Sequence, residues 1–283
     1  MDHFINLTLS GLANGAIYAA LALSLIIIYQ ATRVVNFAQP ALALISAYVA
    51  YTVTGATGSY WLGFGSALVT GLVLGVLTER LLIRPVHNKS PLSAIVITLG
   101  VLLTLQGTAG MIWSNEPHSF GYALDYRGMF SPADAFAVGS VLLVAVLLLA
   151  LYRWTPLGLR MRAAAFRPEV ARMVGVRVGL MLTVGWGIAS LVGALGGVLA
   201  APPFLSPNVL DTAFVYGITA AVVGGLDNPF GAIFGGFLLG VSLSYVSSYA
   251  GPELVTLAAL VILVLVLSVR PDGLFSRPQA RKV

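Results

Sequence analysis

The chain has 283 residues, of which 58% are hydrophobic and only 9% are charged, whereas ordinary globular domains carry roughly 25% charged residues. So few charges, together with a mean hydropathy of +0.94, exclude a water-soluble globular protein of this size, because they would not cover its surface. The sequence contains no cysteine, so disulfides, thiolate chemistry and cysteine-based metal sites are excluded as well.

Long apolar intervals follow one another along the chain, and each is close to the roughly 20 residues that span the hydrocarbon core as a helix. They predict an all-α polytopic transmembrane bundle of eight or nine segments, forming one transmembrane domain over residues 1–283. The second and seventh segments are candidates for broken or re-entrant helices, because Gln39-Pro40 opens the second and the seventh is short. The segments lie at about residues 7–29, 38–54, 61–78, 91–113, 135–152, 181–201, 212–224, 231–250 and 254–269.

The basic residues predict how the bundle sits in the membrane, because cytoplasmic loops hold an excess of Lys and Arg. Fourteen of the 15 basic residues form four groups, which share one side if the N-terminus is outside and the C-terminus is cytoplasmic. Only Arg127 lies in the predicted outer loop, at about residues 114–134. The isoelectric point near 9.6 therefore reflects topology and not a nucleic-acid partner. The four groups are Arg33; Arg80, Arg84 and Lys89; Arg153, Arg160, Arg162, Arg167, Arg172 and Arg177; and Arg270, Arg277, Arg281 and Lys282.

The cytoplasmic loop at 153–178 is long enough for one or two short helices. Pro168 suits the first turn of a helix and Gly175 suits its end. Glu169 in the first turn and Arg172 in the last turn each carry the charge that the helix dipole favours there. The pattern predicts a short helix over 168–174 beside the membrane. Two interpretations stay open: a helix that docks on a partner, and a solvated basic loop that anchors topology or touches anionic lipid.

Polar side chains enter the second apolar segment at Asn36 and Gln39, directly before Pro40. Polar groups at membrane depth are costly unless they are partnered, so they often line a pathway. If the helix is broken here, its N-terminus would point positive dipole toward a substrate carboxylate. The alternative is a helix cap at the membrane surface, in which Asn36 or Gln39 satisfies backbone groups.

Glycines recur four residues apart, a spacing that places small surfaces together on one helix face. We interpret most of them as sites of tight packing within the subunit. Asp227, followed by Asn228 and Pro229, is typical of a tight turn and is therefore interpreted as structural. The glycine pairs are Gly11/Gly15, Gly71/Gly75, Gly193/Gly197, Gly231/Gly235 and Gly236/Gly240.

No group of residues in the sequence indicates catalysis or a metal site. The three histidines, His3, His87 and His118, are scattered, and neither an HExxH motif nor a GxxxxGK[ST] phosphate loop occurs. Asp211 and Asp227 are the late candidates for an ion site, and both fall at predicted loops. A transporter without its own energy source requires a partner that supplies one. The competing hypotheses are a stand-alone secondary transporter or channel and a membrane-embedded enzyme.

Three parts of the chain carry motifs that resemble those of one known family. Residues 11–18 (GLANGAIY) and 34–38 (VVNFA) resemble the start of the LivH-type permeases of branched-chain amino-acid ABC importers. Residues 155–163 (TPLGLRMRA) and 171–176 (ARMVGV) resemble its ATPase-facing loop, and 221–225 (AVVGG) with 231–236 (GAIFGG) its C-terminal glycine signature. The resemblances occur in order from about residue 11 to 245 and so cover nearly the whole chain.

The resemblance implies a multi-pass permease subunit in a bacterial inner membrane, without a cofactor or a nucleotide site of its own. The implied partners are a second, LivM-like permease, two cytoplasmic ATPase subunits and an extracytoplasmic solute-binding protein. The implied solutes are amino acids, branched-chain ones first. The family continues Asn-Phe-Ala with His-Gly and an acidic residue, whereas Gln39-Pro40-Ala41 stand here. Permeases for urea, short amides or aromatic acids are therefore alternatives.

The resemblance also implies roles for particular residues. Together with the polar side chains at the start of the second segment, the family match at Asn36-Phe37-Ala38 predicts that Asn36 and Gln39 lie on the substrate pathway, and Tyr18 is predicted there as well. The resemblance makes the loop at 153–178 a coupling element that contacts an ATPase through Arg160, Arg162, Pro168, Glu169, Val170, Arg172, Met173, Val174 and Gly175. It gives helix packing to Gly224, Gly225, Gly231, Gly235 and Gly236.

Overall fold

The computed structural model describes residues 2–86, 91–124, 130–202 and 204–276 of the chain. Within these residues it has eleven α-helices and one two-stranded sheet. The helices are α1 Asp2–Thr32, α2 Gln39–Thr57, α3 Tyr60–Leu77, α4 Pro91–Trp113, α5 Pro132–Trp154, α6 Pro156–Phe166, α7 Pro168–Met173, α8 Val178–Ala200, α9 Val209–Gly224, α10 Pro229–Tyr249 and α11 Val255–Val269. The strands β1 His118–Ser119 and β2 Phe204–Leu205 pair antiparallel, with His118 opposite Leu205. His87 and the basic residues Lys89, Arg127, Arg277, Arg281 and Lys282 lie outside the described residues.

The predicted polytopic helical bundle is confirmed. Eight helices of the described chain are long and apolar enough to cross a membrane. The seventh predicted segment is α9, whose 16 residues extend about 24 Å, less than the roughly 30 Å of hydrocarbon. The second predicted segment is a continuous 19-residue helix, α2. The interruption lies before α2, between it and α1.

Two helices, α1 and α8, form the centre of the bundle. In the most apolar stretch of each helix, 78% of the residues are buried in α1 and 72% in α8, whereas only 11% are buried in α4 and 6% in α11. Helix α1 packs on α8, α9 and α10, and α8 packs on α2 and α3 as well. The outer helices expose large apolar side chains such as Leu103 and Leu260. Lipid or a membrane partner covers such faces without the cost that water would impose.

Glycine lets the central helices approach at backbone distance. A Cβ on Gly11 of α1 would lie 2.6 Å from the Cα of Val241, and one on Gly236 of α10 would lie 2.6 Å from the Cα of Ala19. Any larger residue at these positions would push the two helices apart. Small residues at helix contacts are what membrane packing requires, because association there depends on close van der Waals contact.

The third membrane helix extends further than the sequence predicted. A π-helix over Thr78–Ile83 and a 3-10 helix over Arg84–Val86 continue α3 without a break. The expectation that Arg80 and Arg84 belong to a loop was therefore wrong. The π-helical turn accommodates a buried carboxylate, Glu79, and the basic partner that lies five residues after it.

Candidate functional site

The connection between α1 and α2 contains a small network of amide side chains. Asn36 and Gln39 are completely buried. The Nδ2 of Asn36 donates to the Oε1 of Gln39 at 3.0 Å, and the Asn36 Oδ1 accepts from the backbone N–H of Ala38 at 3.0 Å. The Gln39 Nε2 donates to the carbonyl of Ala189 on α8 at 3.3 Å. The two side chains thus join the start of α2 to α8 and satisfy backbone groups as well.

This amide network lies deep in the bundle. Ala189 is 11 residues after Val178, the first residue of α8, which is about 16 Å along the helix axis. Gly193, one turn further along α8, has no side chain, and that leaves room for the Gln39 amide; a Cβ there would collide with it. The chain between Thr32 and Gln39 therefore turns back into the bundle, and α2 begins beside the middle of α8. Backbone that is not helical is tolerated at such depth only where protein surrounds it.

Tyr18, the third predicted pathway residue, lies on α1, away from the amide network. Its ring meets that of Tyr216 on α9 edge-on, with 5.2 Å between the centroids. It packs at the edge of the cluster that α9, α10 and α11 bury around α1. The structure therefore does not bring Tyr18 together with Asn36 and Gln39.

The loop at 153–178 forms two short helices, α6 and α7. The hydroxyl of Thr155 caps α6 by accepting from the N–H of Gly158. Pro168 stands in the first turn of α7, Glu169 in the same turn and Arg172 in the last. Gly175 adopts φ +82°, and its N–H donates to the Arg172 carbonyl while that of Val176 donates to Ala171. These two backbone hydrogen bonds form a Schellman motif, which terminates the helix and satisfies two of its last carbonyl groups.

The surface of α7 is apolar on the side that faces away from the bundle. Met173 is 87% exposed, Val174 73% and Val170 48%. Ala171 is buried against α6 and α8 and fixes the helix in place. The basic residues Arg160 and Arg162 are exposed on α6, and Glu169 is exposed on α7.

The glycine signature packs α9, α10 and the C-terminal segment together. Gly224 and Gly231 face each other across the α9–α10 turn, and Gly235 faces the Ala220 carbonyl. Gly236 faces α1, as described above. Gly225 has φ +103°, a conformation that favours glycine. Within this turn Asn228 accepts from the N–H of Phe230 and thereby caps α10.

One polar cluster was missed by the sequence reasoning. Glu79 is 2% exposed and accepts from the Nε and Nη2 of Arg84, both at 3.1 Å. The Arg84 Nη2 also donates to the Gly179 carbonyl and to the Thr183 hydroxyl, and that hydroxyl donates to Glu79 at 2.7 Å. A carboxylate and a guanidinium five residues apart would not meet on an α-helix, so the spacing gave no signal; the π-helical turn brings them together. Asp211 likewise lies in the first turn of α9, not in a loop, and accepts from Gln106 at 2.7 Å.

The family model described as "Branched-chain amino acid transport system / permease component" matches residues 7–269. This match covers α1 from residue 7 onward and all of α2 to α11, including α7 and the interruption before α2. The chain belongs to this permease family.

Relatives match over the same length. The chain is 27% identical to the high-affinity branched-chain amino acid transport system permease protein LivH of Escherichia coli (strain K12), over 99% of this chain and 98% of that protein. It is 24% identical to BraD of Pseudomonas aeruginosa, a permease protein of the same description, over the same shares. A solved structure, "PsaBC from Streptococcus pneumoniae in complex with Fab", superposes with a TM-score of 0.50 at 15% identity and covers 94% of this chain and 91% of that one. This last likeness concerns the fold alone.

Proposed function

We propose that this chain forms one wall of the translocation route of an ATP-driven importer for branched-chain amino acids. The whole chain is one permease domain, and partner ATPases act on it through the loop at 153–178. The observation that carries the proposal is helix α7, which presents Val170, Met173 and Val174 to its surroundings outside every membrane-spanning helix. Exposed apolar side chains on a firmly capped helix are typical of a protein interface.

Helix α7 acts as a coupling helix that inserts into a groove on an ATPase. Its apolar side chains supply the anchors, while Arg160, Arg162 and Glu169 lie at the rim and orient the contact. Buried apolar anchors carry most of the affinity of an interface, whereas rim charges act on specificity and association rate. Ala171 and the cap at Gly175 hold the helix rigidly to α8, so that a movement of the ATPase reaches the membrane helices.

The test of this coupling role is Met173→Asp, with Met173→Leu as the matched control. The aspartate places an unpaired charge in the contact, which costs about 3–5 kcal/mol. We expect solute-stimulated ATP hydrolysis and ATPase co-purification to fall at least tenfold, while docking of the solute-binding protein is unchanged. Met173→Leu should keep stimulated ATP hydrolysis and ATPase co-purification at their wild-type levels. If Met173→Asp retains full solute-stimulated ATP hydrolysis, the loop at 153–178 serves only to anchor the membrane topology.

The amide network belongs to the wall of the solute route. Asn36 and Gln39 hold the start of α2 beside the middle of α8, where the positive end of a helix dipole favours a carboxylate. Gln39→Leu removes the bond to α8, and Gln39→Glu keeps the length of the side chain but adds a charge. We expect both to lower uptake or change solute preference without preventing assembly. Wild-type uptake kinetics in Asn36→Leu and Gln39→Leu would leave the network only a capping role.

The complete transporter also contains a second permease, two ATPases and an extracytoplasmic solute-binding protein. The relatives that match over their full length are described as branched-chain amino acid permeases, which supports these solutes for this chain. Stimulation of ATP hydrolysis by leucine, isoleucine or valine, tested against urea, amides and aromatic acids with the complete complex, identifies the solute. If no ATPase co-purifies and uptake persists, the chain is a stand-alone carrier.

We propose that the N-terminus lies outside and the C-terminus in the cytoplasm. Arg33, Arg84 and Arg172 lie at the same end of the bundle, where the positive-inside rule favours the cytoplasm. Because the chain has no cysteine, Ser119→Cys labels cleanly. Labelling of that cysteine from outside is expected, and labelling only from the cytoplasmic side contradicts the orientation.

A further inference from the structure

A cavity lies behind the coupling helix, between α7, α8 and the π-helical end of α3. Its volume is about 170 Å³, the space of several water molecules. Its polar walls come from Glu79, Arg84, Arg172 and Thr32, the last residue of α1, and the other lining residues are apolar or glycine. Neither the amide network nor the exposed face of α7 takes part in it.

The charges around this cavity are unbalanced. Both oxygens of Glu79 accept hydrogen bonds from Arg84, and one of them also accepts from Thr183, so this pair is internally neutral. The guanidinium of Arg172, an exposed residue, has no ion-pair or hydrogen-bond partner among the residues that the structure describes. The Arg84 Nη1 likewise donates to no described group. The cavity therefore keeps one uncompensated positive charge and free guanidinium donors.

Two further donors lie at the cavity. Val178 and Gly179, the first two residues of α8, are part of its wall, and no side chain caps this helix. The first-turn N–H groups of a long helix lack partners and carry the positive end of its dipole.

We propose that this cavity is a binding site for a phosphate group, supplied either by free phosphate or by the headgroup of an anionic phospholipid. Arg172 provides the charge, and the backbone N–H groups of Val178 and Gly179 at the start of α8 provide further donors. Basic pockets between membrane helices at their cytoplasmic end bind such headgroups. Since Arg172 is on α7, the bound phosphate would link the coupling helix to α3 and α8. The site does not depend on which solute the permease carries.

The experiment measures binding directly on the purified complex in a phosphate-free detergent. Thermal unfolding is followed while sodium phosphate is titrated at constant ionic strength. The same titration is made with Arg172→Gln, Arg172→Lys and, as the control, Arg153→Gln, an exposed arginine at the end of α5 that does not line the cavity. Phosphate bound by the ATPases contributes equally to all variants and cancels in the comparison.

We expect a saturable rise in the unfolding temperature for the wild type and Arg153→Gln. Loss of one charged donor weakens a site by at least about tenfold. The phosphate concentration at the midpoint of the titration should therefore rise by at least that factor in Arg172→Gln, and Arg172→Lys should restore part of the affinity.

A second series replaces phosphate with mixed micelles that contain phosphatidylglycerol. An Arg172-dependent shift with phosphatidylglycerol alone identifies the lipid headgroup as the ligand, and a shift with inorganic phosphate alone identifies the free anion. Shifts with both support a site that either source fills. The proposal is overturned if neither probe shifts the wild type, or if Arg172→Gln responds as the wild type does.

Discussion

Two ion pairs lie at the same end of the bundle, and they differ in burial more than in geometry. Arg33 and Asp227 are 2.6 Å apart, with 58% and 42% of their side chains exposed. Arg84 and Glu79 are 3.1 Å apart, with 45% and 2% exposed. The shorter pair is the exposed one. Distance alone would rank the two pairs wrongly.

Burial decides what each pair contributes. An exposed pair contributes about 0–1 kcal/mol, because water already solvates both charges. Glu79 has lost its water, so it depends on Arg84 and Thr183 for every hydrogen bond that replaces it. Loss of the partner of a buried charge costs much more than the pair itself contributes, because the remaining charge is left without compensation.

The exposed pair positions a turn. Arg33 follows α1 with φ +57°, and its Nη1 reaches Asp227 in the α9–α10 turn, whose carbonyl accepts from Gln30. Partial burial lowers the pKa of the Arg33 guanidinium. The hydrogen bond to Asp227 and the negative charge of Asp227 raise this pKa by more than burial lowers it, so that it lies above its ordinary value. Asp227 is thus in a structural contact, as its turn sequence suggested.

The largest effect is expected from Arg84→Met, which leaves the Glu79 carboxylate buried and unpaired. The free energy of unfolding, measured by denaturation in mixed micelles, should fall by about 3–5 kcal/mol. Arg80→Gln is the matched control, because Arg80 is exposed on the same π-helix and should change stability by less than about 0.5 kcal/mol. Equal losses in the two variants would show that Glu79 is not buried.

An intermediate effect is expected when both charges of the buried pair are removed. Glu79→Leu combined with Arg84→Met leaves no unpaired charge, so most of the loss caused by Arg84→Met should be recovered. The double-mutant cycle should give a coupling free energy of at least about 2 kcal/mol. Additive losses in the same unfolding assay would contradict a direct interaction between the two side chains.

The smallest effect is expected from Arg33→Met, which breaks the exposed pair. The free energy of unfolding should fall by at most about 1 kcal/mol, and the difference from wild type should vanish at 1 M salt, where the Debye length is about 3 Å. Asp227→Asn should behave alike. A loss as large as that of Arg84→Met would reverse the ranking by burial.

The same contrast explains how much of the molecule the sequence predicts. The membrane helices follow from local composition, and helix α7 follows from Pro168 and Gly175, whose backbone preferences act within one turn. The sequence did not reveal that Glu79 is buried, because the hydroxyl that donates to it belongs to Thr183, 104 positions later. Nor did it reveal the depth of Asn36 and Gln39, because that depth depends on Ala189 and on the missing side chain at Gly193.

The sequence by itself determined the membrane class, the helical bundle, the short helix α7 and the resemblance to its family. These depend on hydrophobicity, charge distribution and local backbone preferences, which are properties of neighbouring residues. Only the tertiary structure decided that α2 begins inside the bundle, that Tyr18 lies apart from the amide network, and that Arg172 borders a cavity with Glu79 and Arg84. Each of these depends on contacts between distant segments, whose distances are set by how the helices pack and not by their order in the chain.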